Sequence, residues 1–341
     1  LGLFNRFSSD IGIDLGTANT LVYLSNRGIV LREPSVLTRD PNTQELLGVG
    51  SQAEAMIGRT PAEIEVVHPL QDGVITQPKV AQLLLEHVVR EALNGRSLLP
   101  PRVVISMPMG ASSVERRALF DIAGQIGARE AYLIEEPMAA AIGAGLPITT
   151  PVGNLVIDIG GGTTEIAVLS YLGVAVSRSI PIGGDLLDRT IMQRVKQDHS
   201  LLIGKLMARS IKHQLAAVYP NSVSDQQEME IRGLDLRSGL PRWFNLRGGE
   251  VREYVSASIA TIATSIKQVL EKTPPELAAD ILERGMILTG GGALLKGIDL
   301  YLSREVGLVA QVAPDPLDCV ALGTGIVLEQ FPEMKRVLLS S

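Results

Sequence analysis

Two stretches of the chain share one hydrophobic pattern. In the first, Ile11, Ile13 and Leu15 alternate with Gly and Asp, a Gly-Thr-Ala-Asn turn follows, and Leu21, Val22 and Leu24 resume the apolar run. In the second, residues 155–159 and 164–169 repeat the arrangement around a Gly-Gly-Gly-Thr turn. Short apolar runs bounded by Gly, Thr and Asn predict β-hairpins. Aligned on Asp14 and Asp158, both read apolar strand, Asp, apolar residue, Gly, small turn, Thr, apolar strand. A repeat 144 residues apart is too long for a solenoid unit and points to two domains of related architecture.

The other elements follow from periodicity and punctuation. Leu83, Leu84, His87 and Val88 give helical spacing over 80–93, and 102–107 is a buried-strand run. Ser112 and Glu115 form an S-x-x-E capping box before a helix predicted over 115–126. A strand at 132–134 precedes a helix over 137–143 with Pro137 at its start. Beyond the second hairpin come helices near 186–198 and 204–218. A strand-rich patch over 228–245 follows, ending in a Gly248-Gly249 turn. A long helix near 251–272 stops at Pro274 and Pro275. A strand at 285–289 leads into Gly290, Gly291 and Gly292, then a helix, a strand near 308–312 and a last helix from about 317. Strands alternating with helices define an α/β class with helix-covered sheets, and two such halves would place a ligand cleft at their strand ends.

Composition narrows the class. At 341 residues the chain holds about two domains or one two-lobed unit. With 45% hydrophobic and 20% charged residues it is neither disordered, collagenous nor coiled coil. A net charge of −6 offers no basic excess for nucleic acid. Cys319 is the single cysteine, which excludes an intrachain disulfide and a cysteine metal cluster and suggests a reducing, cytoplasmic setting. The four histidines lack metal-ligand spacing. The longest uncharged stretch, 137–157, is broken by three prolines and three glycines, so no transmembrane helix is expected. The opening residues, Leu1 to Phe7, are too short for a secretory h-region.

Three turns carry the candidate chemistry: Asp14-Leu-Gly-Thr-Ala-Asn-Thr20, Asp158-Ile-Gly-Gly-Gly-Thr-Thr164 and Thr289-Gly-Gly-Gly-Ala293. Glycine lets backbone N–H groups reach phosphate oxygens, and Thr and Asn add hydroxyl and amide donors. An Asp at each hairpin can hold hydrated Mg²⁺. Neither hairpin turn contains Lys or Arg, so a polyphosphate would rely on backbone donors and the cation. One such turn alone is an ordinary hairpin; three together, two of them in matching hairpins with an Asp in the same place, point to a site. P-loop and dinucleotide fingerprints are absent.

These motifs resemble the phosphate and adenosine motifs of the superfamily of actin, DnaK-type chaperones and sugar kinases. The likeness sharpens along the chain. Glu33-Pro-Ser-Val, Asp72-Gly-Val-Ile, Val114-Glu-Arg-Arg, Leu133-Ile-Glu-Glu-Pro-Met-Ala-Ala-Ala-Ile-Gly143, Gly248-Gly-Glu-Val-Arg252 and Leu270-Glu-Lys-Thr-Pro-Pro-Glu276 look like MreB, the family of bacterial actins of rod-shaped cells. The resemblance covers residues 10–330 and implies an actin-like fold. Domain I would be 1–145, completed by a C-terminal helix from 318 and carrying a small subdomain at 33–70. Domain II would be 146–317, with a small subdomain at 182–245.

By the same resemblance, ATP or ADP would bind through Gly16, Thr17, Ala18, Asn19, Gly160, Gly161, Gly162, Thr163, Gly184, Lys212, Gly290, Gly291, Gly292 and Ala293. Asp14 and Asp158 would act on Mg²⁺ through water, and Glu136, before Pro137, would orient the attacking water with help from Thr163. Where the family reads Glu-x-x-Lys-x-x-x-Gly, this chain has Arg209, Lys212 and Ala216. Arg209 is thus counted with the nucleotide site although the family's ribose carboxylate is missing; a compensating contact stays open. Positioned water without an arginine finger implies slow hydrolysis.

If residues 1–8 are helical, Leu3, Phe4 and Phe7 share one face beside Arg6, the shape of a membrane-surface anchor; a frayed terminus is the alternative. Leu98 and Leu99 form a second apolar tip, either membrane-facing or packed under its loop. In the family the helix that begins near Ser113 lines the contact between antiparallel protofilaments, which makes Val114 the interface candidate. The resemblance thus implies a homopolymer on the inner face of the cytoplasmic membrane, working with membrane proteins of the elongation machinery and organising wall synthesis. A sugar or acid kinase of the same superfamily is the alternative, although no acceptor base stands out. A DnaK-like chaperone is disfavoured because no peptide-binding domain follows the second lobe.

Overall fold

The computed structural model describes residues 10–61, 63–94, 99–220 and 222–340. Both expected hairpins form: Ile11–Leu15 pairs antiparallel with Asn19–Leu24, and Asn154–Ile159 with Thr164–Ser170. Each extends in the same way. Gly28–Pro34 adds antiparallel to the first hairpin and Gly173–Ile180 to the second. On the other side, Arg102–Met107 pairs parallel with Ile11–Leu15, and Met286–Thr289 pairs parallel with Asn154–Ile159. Glu130–Glu135 and Ala310–Val312 complete the repeat, again parallel. Leu339–Ser340 then adds antiparallel to Glu130–Glu135, a strand for which the local sequence carries no signal.

The alternation along each strand distributes side chains between cores, because successive residues point to opposite faces. Val103 and Ile105 join a core under the helix Pro78–Leu93, whereas Val104 faces the other way. Leu155, Ile157 and Ile159 pack beneath the helix Gly248–Leu270, whereas Val156 faces away from it. Val104 and Val156 meet in a third core between the two sheets, filled by Met138 to Ile142 and by Cys319, Val327 and Leu328.

That shared core is built on two helices, Glu136–Gly143 and Cys319–Glu329. Glycine brings them close. A Cβ at Gly323 would lie 1.9 Å from the Ala139 carbonyl oxygen, and one at Gly143 would lie 1.8 Å from the Cys319 carbonyl oxygen. Two smaller sheets flank the cleft. Leu37–Arg39 pairs with Leu46–Val49 and Glu65–Val67 and carries the short helix Ser51–Met56. Glu228–Asp235 pairs with Pro241–Arg247 and Leu201–Leu202, beside the helices Gly184–His199 and Lys205–Leu215.

The capping box forms as expected, with the Glu115 N–H donating to Ser112 Oγ and the Ser112 N–H to Glu115 Oε2. The Gly248-Gly249 pair is a correction: it is not a turn after the strands but the first turn of the helix. A Cβ at Gly248 would lie 2.1 Å from the Ser224 carbonyl oxygen, so glycine here permits close approach to a neighbouring helix. Among the described residues, no helix is long and apolar enough to cross a membrane.

Candidate functional site

The two hairpin turns face each other at the same end of their sheets and close with the same bond. The Gly16 N–H donates to the Asn19 carbonyl at 3.1 Å, and the Gly160 N–H to the Thr163 carbonyl at 2.9 Å. Between them lies a cavity of about 630 Å³. Its walls include Gly16, Thr17, Ala18 and Asn19 from the first turn and Gly160, Gly161, Gly162 and Thr163 from the second. Gly290, Gly291 and Gly292 line it at the third turn, and Gly184, Arg209 and Lys212 from the helices of the second small sheet. Ala293 does not line it; its side chain turns into the core beneath. The turns pack without room for side chains: a Cβ at Gly162 would lie 2.7 Å from Thr17 Oγ1 and 2.8 Å from the Gly73 nitrogen.

Carboxylates gather at the cavity floor. Ser106 Oγ donates to Asp14 Oδ1 at 2.9 Å, and Thr289 Oγ1 donates to Asp158 Oδ1 at 2.7 Å. Burial outweighs these bonds, pushing Asp14 up to about 7 and Asp158 up to about 6. Glu136 begins the interlobe helix and lines the same cavity. Burial first, then the charges of Glu165, Asp14 and Asp158, hold its carboxyl well above the usual range. Glu165 is fully buried on the strand after the second turn, accepts the Met109 N–H at 3.0 and 3.1 Å, and is pushed by burial up to about 8. Such a set of buried acids fits a cation. Among the described residues no group of three His, Cys, Asp or Glu is placed to hold a metal by itself.

Several residues at or beside the cleft were given no site role by the sequence. Asp72 and Gly73, both at positive φ, form the tip of a two-stranded hairpin packed against Thr163, where a Cβ at Gly73 would lie 2.8 Å from Thr163 Cγ2. Asp188 is 1% exposed, 2.9 Å from Lys212 Nζ. Glu54 reaches Arg209 from the first small sheet. Glu165 was the most discoverable, as an acid at an inward position of an apolar strand. Of the surface candidates, Val114 is 76% exposed and Leu99 37%. Leu3, Phe4, Phe7 and Leu98 lie outside the described residues.

Duplicated α/β sheets, a shared helical core and a glycine-lined cleft between them define an actin-like fold. Comparison with known proteins agrees. The family model of the MreB/Mbl protein matches residues 8–336. The chain is 46% identical to the cell shape-determining protein Mbl of Bacillus subtilis, over 98% of this chain and 100% of that one. It is 47% identical to the cell shape-determining protein MreB of Escherichia coli, over 95% and 94%. The structure of MreB5 of Spiroplasma citri bound to ADP superposes with a TM-score of 0.91 at 36% identity, covering 96% of this chain and 98% of that one. The same relative is also solved with AMPPNP. The chain belongs to the MreB/Mbl family of bacterial actins.

Proposed function

We propose that this protein binds ATP with Mg²⁺ in the cleft, hydrolyses it slowly, and assembles into filaments on the inner face of the cytoplasmic membrane that organise wall synthesis. The observation that carries the reading is the pair of matching Asp-Gly turns across a cavity with Glu136 on its floor, in a chain whose relatives are cell shape-determining proteins and include one solved with ADP and AMPPNP.

In this reading the lobes are domain I, 1–145 completed by the helix from 318, and domain II, 146–317. Backbone N–H groups of the hairpin turns bind the phosphates, and the third turn with Lys212 holds the adenosine end. Asp14 and Asp158 would hold Mg²⁺ through water, and the ion would supply charge neutralisation on the phosphates. Glu136 accepts a hydrogen bond from the attacking water and Thr163 fixes its direction; no covalent intermediate is required. Val114 belongs to the contact between protofilaments. Leu3, Phe4, Phe7, Leu98 and Leu99 meet lipid.

Co-sedimentation with anionic liposomes, in ATP, ADP or no nucleotide and followed by imaging, tests the reading. ATP-dependent filaments lying on lipid are expected. Nucleotide-loaded monomers under every condition would instead favour a small-molecule kinase.

A further inference from the structure

Glu54 and Arg209 come from opposite sides of the cleft and meet. Glu54 stands on the helix Ser51–Met56 of the first small sheet, and Arg209 on the helix Lys205–Leu215 of the second. Arg209 Nη1 donates to Glu54 Oε1, and both side chains line the cavity. Each is pre-set by its own lobe. The first turn of Glu54's helix is pinned by Glu33, whose Oε2 accepts from the Ser51 N–H at 2.7 Å and from Ser51 Oγ at 2.9 Å. Across the cleft, Asp188 lies 3.7 Å from Arg209 Nε and 2.9 Å from Lys212 Nζ. Lys212 Nζ also donates to the Gly184 carbonyl at 2.9 Å. A buried carboxylate therefore aims the guanidinium at a partner that is itself held in place.

We propose that Glu54 and Arg209 form a latch that sets the rate of nucleotide exchange. The inference rests on the reading of the cleft as a nucleotide site. The pair joins the two small sheets across the cavity, so breaking it frees the two sides of the cleft to part and an occupant to leave or enter faster. The side chains of Arg209 and Glu54 are 23% and 32% exposed, enough shielding for a charge-assisted bond to count. Among the described residues a second cross-cleft pair, Arg189 with Asp72, is 56% and 47% exposed and contributes little. In this light Arg209 is not a damaged ribose contact. The charge that departs from the family pattern is matched by a carboxylate on the opposite lobe.

The test is stopped-flow displacement of a fluorescent ATP analogue by excess ATP, with Mg²⁺, in wild type, Glu54→Gln, Arg209→Gln and the double variant. Glu54→Gln should speed release about tenfold, the loss of one charge-assisted hydrogen bond. Loading should quicken as well, so equilibrium affinity moves less than the release rate. In the Arg209→Gln background, Glu54→Gln should change nothing further. Release from wild type should accelerate with salt, and release from Glu54→Gln should not. Equal release rates in wild type and Glu54→Gln, or the same acceleration in both backgrounds, would overturn the latch while leaving the nucleotide site standing. A wild-type protein that binds no analogue would overturn the site, and the latch with it.

Discussion

Glu136 is held among three other acids, Glu165, Asp14 and Asp158, with its carboxyl pushed upward by burial and by Glu165 before any other charge. Its position at the first turn of a helix, on the cavity floor, suits a group that orients water rather than one that grips phosphate. Glu136→Gln should therefore retain nucleotide binding and lose about a hundredfold in phosphate release, the usual contribution of a positioned acid–base group. A coupled phosphate assay beside a binding titration checks this, and undiminished release from a protein that binds ATP would be fatal to the role. The same cluster sets a pH dependence. Asp14, Asp158 and Glu165 have folded pKa values raised to about 7, 6 and 8, above the ordinary 3.8 to 4.5 of free carboxyls. The folded state then binds more protons than the unfolded one, so their contribution to stability is complete below about pH 4 and is lost as pH rises through 6 to 8. Nucleotide-free protein should melt lower at pH 8 than at pH 5, with a shallower slope in Asp158→Asn, as read by calorimetry. The acids beside glycine turns were legible in the sequence because the turn itself marks them. Glu54 and Asp188 were not, since the meaning of Glu54 lies in a partner 155 residues away.

At the scale of elements, the helix crossing in the shared core depends on the absence of two side chains. Gly323→Ala would drive a methyl group into the Ala139 carbonyl. The cost expected for such overpacking is about 1–3 kcal/mol, measurable as a lowered denaturant midpoint. Ser112→Ala, which removes one capping hydroxyl on an exposed helix end, should cost about 1 kcal/mol. An unchanged midpoint in Gly323→Ala would mean that the helices slide apart freely. Hairpins, capping box and central strands could be read locally, because their periodicity and punctuation agree. Leu339–Ser340 could not, being a strand only by virtue of its pairing with Tyr132 and Leu133. Gly248 misled for a related reason: glycine signals a turn in sequence, whereas here it admits the backbone of a neighbour.

For the whole molecule, one aligned pair of hairpins was enough to expect two related halves, and the strand orders of the two sheets repeat accordingly. The core between them was hidden, since residues 139–142 read as an ordinary helix until a second helix is laid across it. On the proposed reading, function at this scale would rest on multiplicity. Three apolar side chains at the N-terminus would bind lipid weakly in one copy and firmly in a polymer, because the later contacts become intramolecular. Replacing Leu3, Phe4 and Phe7 with Ala should leave ATP-dependent pelleting intact and abolish liposome flotation. Flotation that persists would assign lipid binding elsewhere.

Cys319 sits at the helix crossing, 2% exposed, with its thiol pushed by burial up to about 12. A thiol that is both enclosed and protonated is inert to maleimides near neutral pH. These 341 residues are therefore already a silent background for site-directed labelling. Asn42→Cys and Leu240→Cys, at exposed positions in the turns of the two small sheets, would accept a donor and an acceptor dye without replacement of Cys319. Energy transfer between them would follow the opening and closing of single molecules in real time.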